Sequence, residues 1–415
     1  MRTKVLAVFV VAALAATTAA CSKKDDGGTT STPLVVGSTL SLTGAFAATG
    51  IIHKVAGEAF IARLNANGGL LGRQVEWKVL DDQSDTAKVG QLYEQLISQD
   101  KVDVIMGPYA TPNILAAMAV AERHGLVLPH HTAVLAPQLT YKCQFPGWSI
   151  GPTPNQFIPN LLFDALATLP QPPKKIAVLT SQSGSAAFVT NGFGNDKTGL
   201  LTIAAQRGIE VVVNAPYPPN ISEWGSIAAQ VAGAKPDLVI NNGLGVDTVN
   251  ALTAMKQLGY RPPMTFSLFP APGPLLGLGA DSAGVLSVSI FEPNAPLISK
   301  AGADAQAIID DFKTRATTAK VPYTAFETQA AASWNAWQIL AASVKGAGKV
   351  DHKAMCDWLH ANPVDTTFSG QLTFDASKNN FWAPTLGIKQ IQNGQWVMVW
   401  PSDRAAGTLV GPTAS

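Results

Sequence analysis

The chain has 415 residues, of which 47% are hydrophobic and 14% are charged, and its formal charge at pH 7 is +1. This near-neutral charge argues against a nucleic-acid partner, because binding to phosphates normally rests on a clear excess of Lys and Arg. At roughly 100–200 residues per domain, the length predicts two domains.

The first segment of the chain has the parts of an export signal. Arg2 and Lys4 precede an apolar core at residues 5–16, which is too short to span a bilayer because a spanning helix needs about 20 residues. Small residues then lead to Cys21, in an arrangement similar to the lipobox of bacterial lipoproteins. We therefore expect residues 1–20 to be a signal peptide and Cys21 to carry a lipid anchor; an ordinary secretory signal is the alternative.

Residues 21–33 are polar and rich in Gly, Ser and Thr, which predicts a flexible tether between the anchor and the folded body. No later stretch of the sequence has 18 or more consecutive apolar residues. The sequence therefore predicts no further membrane crossing.

Predicted strands and helices alternate along the body of the chain. A strand begins at Leu34, and apolar residues at helical spacing over 89–97 predict a helix that Asp85 caps. After a Pro-rich passage, the same alternation restarts at Lys174. Such alternation is typical of parallel α/β sheets, so we expect two α/β lobes with a ligand bound between them, at the C-terminal ends of the strands.

Three side-chain patterns suggest chemistry. Cys143 and Cys356 can form a disulfide in an exported protein, but their spacing alone does not decide whether they pair. Ser149 lies in a GxSxG pattern, which leaves a secreted serine hydrolase as an alternative function, although Pro152 disfavours the helix that this motif needs. His130 and its neighbour His131 point to opposite faces of an extended chain, so they predict no metal site, and the sequence indicates no cofactor.

Several segments occur in an order that resembles a known family. They read "LTGAFAATG", "NANGGLLGRQVEWKVLDDQSD", "VDVIMGP", "LAPQLT" and "ANPVDTTFSGQLTFD". Together they resemble the type I periplasmic binding proteins, specifically the leucine/isoleucine/valine-binding branch of ABC importers. The resemblance implies an α/β fold of two Rossmann-like lobes joined by three crossovers, which closes on its ligand.

The same resemblance implies domain boundaries. The first lobe would comprise residues 34–147 and 273–376, the second lobe residues 148–272 and 377–405, and residues 406–415 would form a tail. Both Cys143 and Cys356 then fall in the first lobe, which favours their pairing.

In this family, hydroxyls and backbone N–H groups of first-lobe loops hold the carboxylate of an amino acid. Loops that enter helix N-termini suit this role because they present unpaired N–H donors. The residues that match the ligand-binding positions are Thr43, Phe46, Tyr109, Ala110, Thr111, His131, Thr132, Ala133, Val134, Ser185, Phe188, Leu244 and Phe269.

The sequence departs from the amino-acid binders at two places. Leu135 stands where they have a threonine, and the loop at residues 267–275 has no Asp or Glu to pair with an ammonium group. Because a buried ammonium without a counter-ion is costly, we expect a carboxylate ligand with an apolar or aromatic body. A branched-chain or other amino acid is the alternative ligand.

The expected function is that of a monomeric extracytoplasmic receptor of an ABC importer, anchored through its N-terminal lipid. Its partners would be a membrane permease and ATPase subunits. It would perform no catalysis. A sensor with the same fold is a further alternative.

Overall fold

Strands and helices alternate through most of the part of the chain that the structure describes, which is residues 32–131, 133–219, 221–294 and 296–412 of a computed structural model. The strands are β1 (Leu34–Leu40), β2 (Val75–Asp81), β3 (Val104–Ile105), β4 (Leu128–His130), β5 (Gln144–Pro146), β6 (Lys175–Ser181), β7 (Glu210–Tyr217), β8 (Leu238–Gly245), β9 (Thr265–Pro270), β10 (Leu286–Ser289), β11 (Val364–Thr366), β12 (Gly370–Leu372), β13 (Gly387–Gln392) and β14 (Gln395–Trp400). The helices are α1 (Ala47–Ala66), α2 (Thr86–Ser98), α3 (Thr111–His124), α4 (Pro154–Leu166), α5 (Gly184–Asn191), α6 (Leu200–Gln206), α7 (Gly225–Ala234), α8 (Asp247–Gln257), α9 (Pro272–Leu276), α10 (Leu297–Lys300), α11 (Ala305–Thr318), α12 (Thr328–Ala347) and α13 (His352–Ala361). This order confirms the predicted α/β class.

The first lobe is built on parallel strands, of which β1, β3, β4 and β5 are mostly buried and β2 is mostly half-exposed. Strand β1 lies between β2 and β3 and is parallel to both, and β4 pairs in parallel with β5. Helices α1, α11, α12 and α13 pack against one another beside these strands. Gly57 lets α1 approach Trp77 and Trp337, since a Cβ atom there would lie 2.5 Å from the Trp77 ring.

The second lobe contains a seven-stranded sheet in the order β14-β13-β10-β9-β8-β6-β7. Strands β6 to β10 are parallel to one another, whereas β13 and β14 are antiparallel additions at one edge. Helices α4, α5 and α6 pack together next to this sheet. Both lobes therefore direct the C-terminal ends of their parallel strands to loops that can meet between them.

The position of β10 differs from the predicted domain boundary. We expected residues 273–376 to belong to the first lobe, but β10 pairs with β9 and β13 of the second lobe. The chain therefore leaves the second lobe between β10 and α11, downstream of the predicted boundary at residue 273. The four residues of β10 read LSVS. This short, half-polar segment is positioned by its pairing with strands that are distant in the sequence.

Local signals account for the helix boundaries near the cleft between the lobes. The side chain of Asp85 accepts a hydrogen bond from the Ala87 backbone N–H at 2.9 Å and caps α2, as predicted. Helix α3 ends at Gly125, whose φ of 66° suits a residue without a Cβ atom. At the start of α12, Glu327 accepts from the Gln329 N–H at 2.9 Å.

Cys143 and Cys356 form a disulfide between the segment before β5 and α13. Their Cα atoms lie 5.4 Å apart, although 213 residues separate them in the sequence. The bond therefore lies within the first lobe. In the described part of the chain, no helix is both long and apolar enough to cross a membrane; residues 1–20 and Cys21 lie outside the described residues.

Candidate functional site

A cleft between the lobes collects residues that follow the C-terminal ends of parallel strands from both sheets. Its empty volume is about 450 Å³, including the opening to solvent. The described residues that line it are Tyr109, Ala110, Thr111, His131, Val134, Trp148, Ser185, Leu244, Phe269 and Gln329. A mostly apolar lining with a few polar groups, in a cleft between two lobes, is typical of small-molecule sites.

The start of α3 supplies hydrogen-bond donors to the cleft. Ala110 precedes the helix with φ 74° and ψ 139°, an uncommon conformation for a residue with a Cβ atom, and no side chain caps the first turn. The Thr111 Oγ1 atom accepts a hydrogen bond from the Val134 N–H at 2.9 Å, which leaves its hydroxyl hydrogen free to donate. A helix N-terminus with free donors favours a negatively charged group.

His131 contributes a neutral imidazole to the wall of the first lobe. Its Nδ1 donates to the Pro108 carbonyl oxygen at 3.1 Å, so Nε2 is the acceptor of this ring. Burial lowers the His131 pKa to about 3. The ring of His53 lies 3.7 Å away between centroids, and burial also lowers the His53 pKa well below its usual value.

Tyr109 closes the same wall with a neutral phenol. Burial raises its pKa to about 12. Its ring contacts Phe46 edge-on at 6.0 Å and lies 4.9 Å from the ring of His53. These contacts fix the aromatic face that the first lobe turns to the cleft.

The second lobe contributes Ser185, Leu244 and Phe269. The Trp148 ring, from the connection between β5 and α4, meets the Phe269 ring at 6.2 Å and 72°. The nearby Asp247 is not among the residues that line the cleft. Its carboxylate accepts hydrogen bonds from the Tyr217 hydroxyl at 3.0 Å and from the Leu244 N–H at 3.1 Å. None of the described lining residues is an acid, a lysine or an arginine.

Eight of the residues predicted to bind the ligand line this cleft, and the structure places four others elsewhere. The Thr43 hydroxyl donates to Asp81 Oδ2 at 2.7 Å, so it faces the turn before α2. Ala133 and Phe188 are buried in the core, and Phe46 contacts the Tyr109 ring edge-on without lining the cleft. Thr132 lies outside the described residues.

Trp148 and Gln329 line the cleft although the sequence did not identify them. Trp148 lies in the connection between β5 and α4, and a connection between two lobes must pass the cleft that they form. Gln329 is a polar residue in the first turn of α12, close to the capping residue Glu327. A polar side chain at the start of an otherwise apolar helix was the available signal.

Ser149 has the contacts of a structural residue. It is fully buried, and its hydroxyl donates to the Trp382 carbonyl oxygen and accepts from the Gly151 and Trp382 N–H groups at 3.1 Å. These bonds tie the segment between β5 and α4 to the segment between β12 and β13. A nucleophile needs a base within hydrogen-bond reach, whereas the Ser149 hydroxyl bonds to backbone groups of Gly151 and Trp382.

His130 packs away from the cleft. Its Nε2 donates to the Gln144 side chain at 2.6 Å, and burial lowers its pKa to about 4. Among the described residues, no group of three or more His, Cys, Asp or Glu side chains is arranged to hold a metal ion.

Comparisons with known proteins agree with this architecture. The model of a family described as periplasmic binding protein matches residues 33–395. The Leu/Ile/Val-binding protein homolog 8 of Brucella abortus is 25% identical over 233 residues, which are 55% of this chain and 54% of that protein. The chain thus spans about half the length of the curated relatives that it matches.

Two solved structures share the fold. The leucine-binding protein LivK of Thermotoga maritima superposes with a TM-score of 0.70 at 16% identity, covering 88% of this chain and 97% of the other. A solute-binding protein of an ABC transporter from R. palustris, solved with benzoate, gives a TM-score of 0.69 at 19% identity, covering 92% and 98% of the two chains.

Proposed function

The chain belongs to the periplasmic binding protein family, and we propose that it is the extracytoplasmic solute receptor of an ABC importer. Its ligand would be a small carboxylate with an apolar or aromatic body, captured by closure of the two lobes. A membrane permease and ATPase subunits would receive the ligand. Attachment through a lipid on Cys21 stays a prediction from the sequence.

One observation carries the ligand class. The cleft combines an uncapped helix N-terminus with aromatic, aliphatic and neutral polar side chains, and its described lining has no acid. The helix end and the Thr111 hydroxyl suit a carboxylate, because each hydrogen bond to a charged group contributes about 1.5–3 kcal/mol. An ammonium group would meet no counter-charge and would lose its hydration.

An amino acid is the second candidate ligand, because the relatives named above are Leu/Ile/Val-binding protein homologues. The missing acid weighs against it: an uncompensated buried ammonium would cost several kcal/mol, and each 1.4 kcal/mol is a tenfold loss of affinity.

A ligand panel separates the two candidates. We expect benzoate or hexanoate to raise the melting temperature of the mature protein, since a ligand at 100 times its Kd stabilises the folded state by about 2.7 kcal/mol. Leucine and valine should raise it less at equal concentrations. A thermal-shift titration, with calorimetry on the hits, measures this. A larger effect from leucine or valine would replace the carboxylate proposal with the amino-acid one.

A further inference from the structure

A second helix N-terminus, from the opposite lobe, faces the same cleft. Helix α5 begins at Gly184, and no side chain caps its first turn. Its second residue, Ser185, lines the cleft with only 1% of its surface exposed. Among the residues that the structure describes, the Ser185 Oγ atom has no hydrogen-bond partner.

A buried hydroxyl without a partner needs an explanation, because buried polar groups in native proteins are normally hydrogen-bonded. Ser185 Oγ borders the cleft, so a ligand atom can supply the missing bond. The backbone N–H groups of the first turn of α5 have no side-chain cap, and this end of the helix carries the positive end of its dipole. This combination favours a hydrogen-bond acceptor with negative charge.

The helix starts of the two lobes are close together. Helices α3 and α5 approach within 8 Å between Cα atoms, and Thr111 and Ser185 line the same cleft. The lobes also touch here, since a Cβ atom on Gly184 would lie 3.5 Å from the Leu135 side chain of the first lobe. One small group can therefore reach donors from both lobes.

We propose that the anionic group of the ligand is held between the lobes, by Thr111 at the start of α3 and by Ser185 at the start of α5. The proposal rests on the carboxylate-binding function argued above and extends it. The family resemblance implied a grip on the carboxylate from first-lobe loops alone. Here the anion itself links the lobes, so its charge contributes directly to closure.

The chemistry predicts a strong preference for the acid over its amide. Two positive helix ends stabilise an anion, whereas a carboxamide offers one neutral acceptor and two additional N–H donors that the helix ends cannot satisfy. The preference should depend on Ser185, because this residue supplies the hydroxyl donor of the second lobe.

The experiment measures three acid–amide pairs by calorimetry: benzoate and benzamide, hexanoate and hexanamide, leucine and leucinamide. For the acid that binds tightest, Ser185→Ala should lower affinity about 10- to 100-fold, the effect of one hydrogen bond to a charged group. Affinity for the matching amide should change less than about threefold. Ser226→Ala, an exposed serine on α7, is the matched control and should bind both compounds like the wild type.

A second measurement reports closure. Small-angle scattering should show that the tightest-binding acid reduces the radius of gyration of the wild-type protein, and that Ser185→Ala reduces the radius less at the same occupancy. If Ser185→Ala does not fold by circular dichroism, Ser185→Cys, which keeps the size with a weaker donor, replaces it.

The outcomes distinguish this proposal from the proposed function. If an acid binds but the acid-to-amide ratio of Ser185→Ala equals that of the wild type, the bridging proposal fails and the receptor function stands. If none of the three acids binds, the carboxylate-receptor function fails and the bridging proposal fails with it.

Discussion

Burial determines the charge of three first-lobe histidines, of which His131 lines the cleft. Loss of hydration disfavours the imidazolium form, which lowers the pKa of His130 to about 4 and that of His131 to about 3. His53 lies against His131, so a proton on one ring would also repel a proton on the other. The rings of His53 and His131 are therefore neutral at pH 7. This leaves the helix ends as the main electrostatic feature of the cleft.

This neutrality predicts a pH-dependent stability. In the unfolded chain His131 takes up a proton near its ordinary pKa of 6.5, but in the folded protein only near pH 3. Its contribution is therefore fully present above pH 6.5 and is lost as the pH falls towards 3. When the pH falls from 7 to 5, the unfolding free energy of the wild type should decrease by about 2 kcal/mol more than that of His131→Asn. This variant keeps a donor near the Nδ1 position.

Urea unfolding at the two pH values tests the His131 prediction. The comparison of two proteins matters because Glu327, whose pKa burial raises to about 7, acts in the opposite direction in both of them. Parallel pH profiles for wild type and His131→Asn would show that His131 is not held neutral in the folded state.

At the scale of elements, periodicity and turn residues predicted the regular parts of the fold. Strand β1 begins at Leu34 as predicted, and α2 has both its predicted stripe and its cap at Asp85. The sequence did not predict strand β10, because its own LSVS segment carries little signal. Pairing with distant strands determines its position. The sequence did not identify Trp148 and Gln329 as cleft residues for a similar reason. They become part of one cleft only when the two lobes come together.

The disulfide should stabilise the first lobe without affecting the ligand site. Cys143 and Cys356 close a loop of 213 residues, for which chain entropy gives up to about 5 kcal/mol. We expect Cys143→Ser/Cys356→Ser to lower the unfolding free energy by a large part of that amount. Ligand affinity should not change, because both cysteines lie in one lobe and outside the cleft lining.

Denaturant unfolding with and without dithiothreitol measures the contribution of the disulfide. The double variant is its own control, since the reductant should alter the wild type and leave the variant unchanged. Equal stability of oxidised and reduced wild-type protein would contradict the prediction.

At the scale of the whole molecule, a buried group of three ionisable side chains joins the lobes. The Lys389 Nζ atom, on β13 of the second lobe, lies 2.7 Å from Glu292 Oε1 and 3.4 Å from Glu327 Oε2. Glu292 follows β10, and Glu327 caps α12 of the first lobe. All three side chains are at most 4% exposed. Gln329, in the same helix turn as Glu327, lines the cleft, so one end of this group lies near the ligand site.

Removing the one cation of this group should destabilise the protein strongly. Lys389→Met leaves two carboxyl groups buried without a partner charge, and breaking a buried ion pair in this way costs about 3–5 kcal/mol. The triple variant Lys389→Met/Glu292→Gln/Glu327→Gln should recover most of that loss, because no buried charge then remains.

The loss in Lys389→Met should also be smaller at pH 5 than at pH 8, since burial keeps the Glu327 pKa raised and protonation at low pH removes the uncompensated charge. Unfolding free energies of the three proteins at both pH values measure these differences. If the triple variant were as unstable as the single one, the side chains would act through packing and hydrogen bonding instead of charge, and the junction between the lobes would not depend on ion pairing.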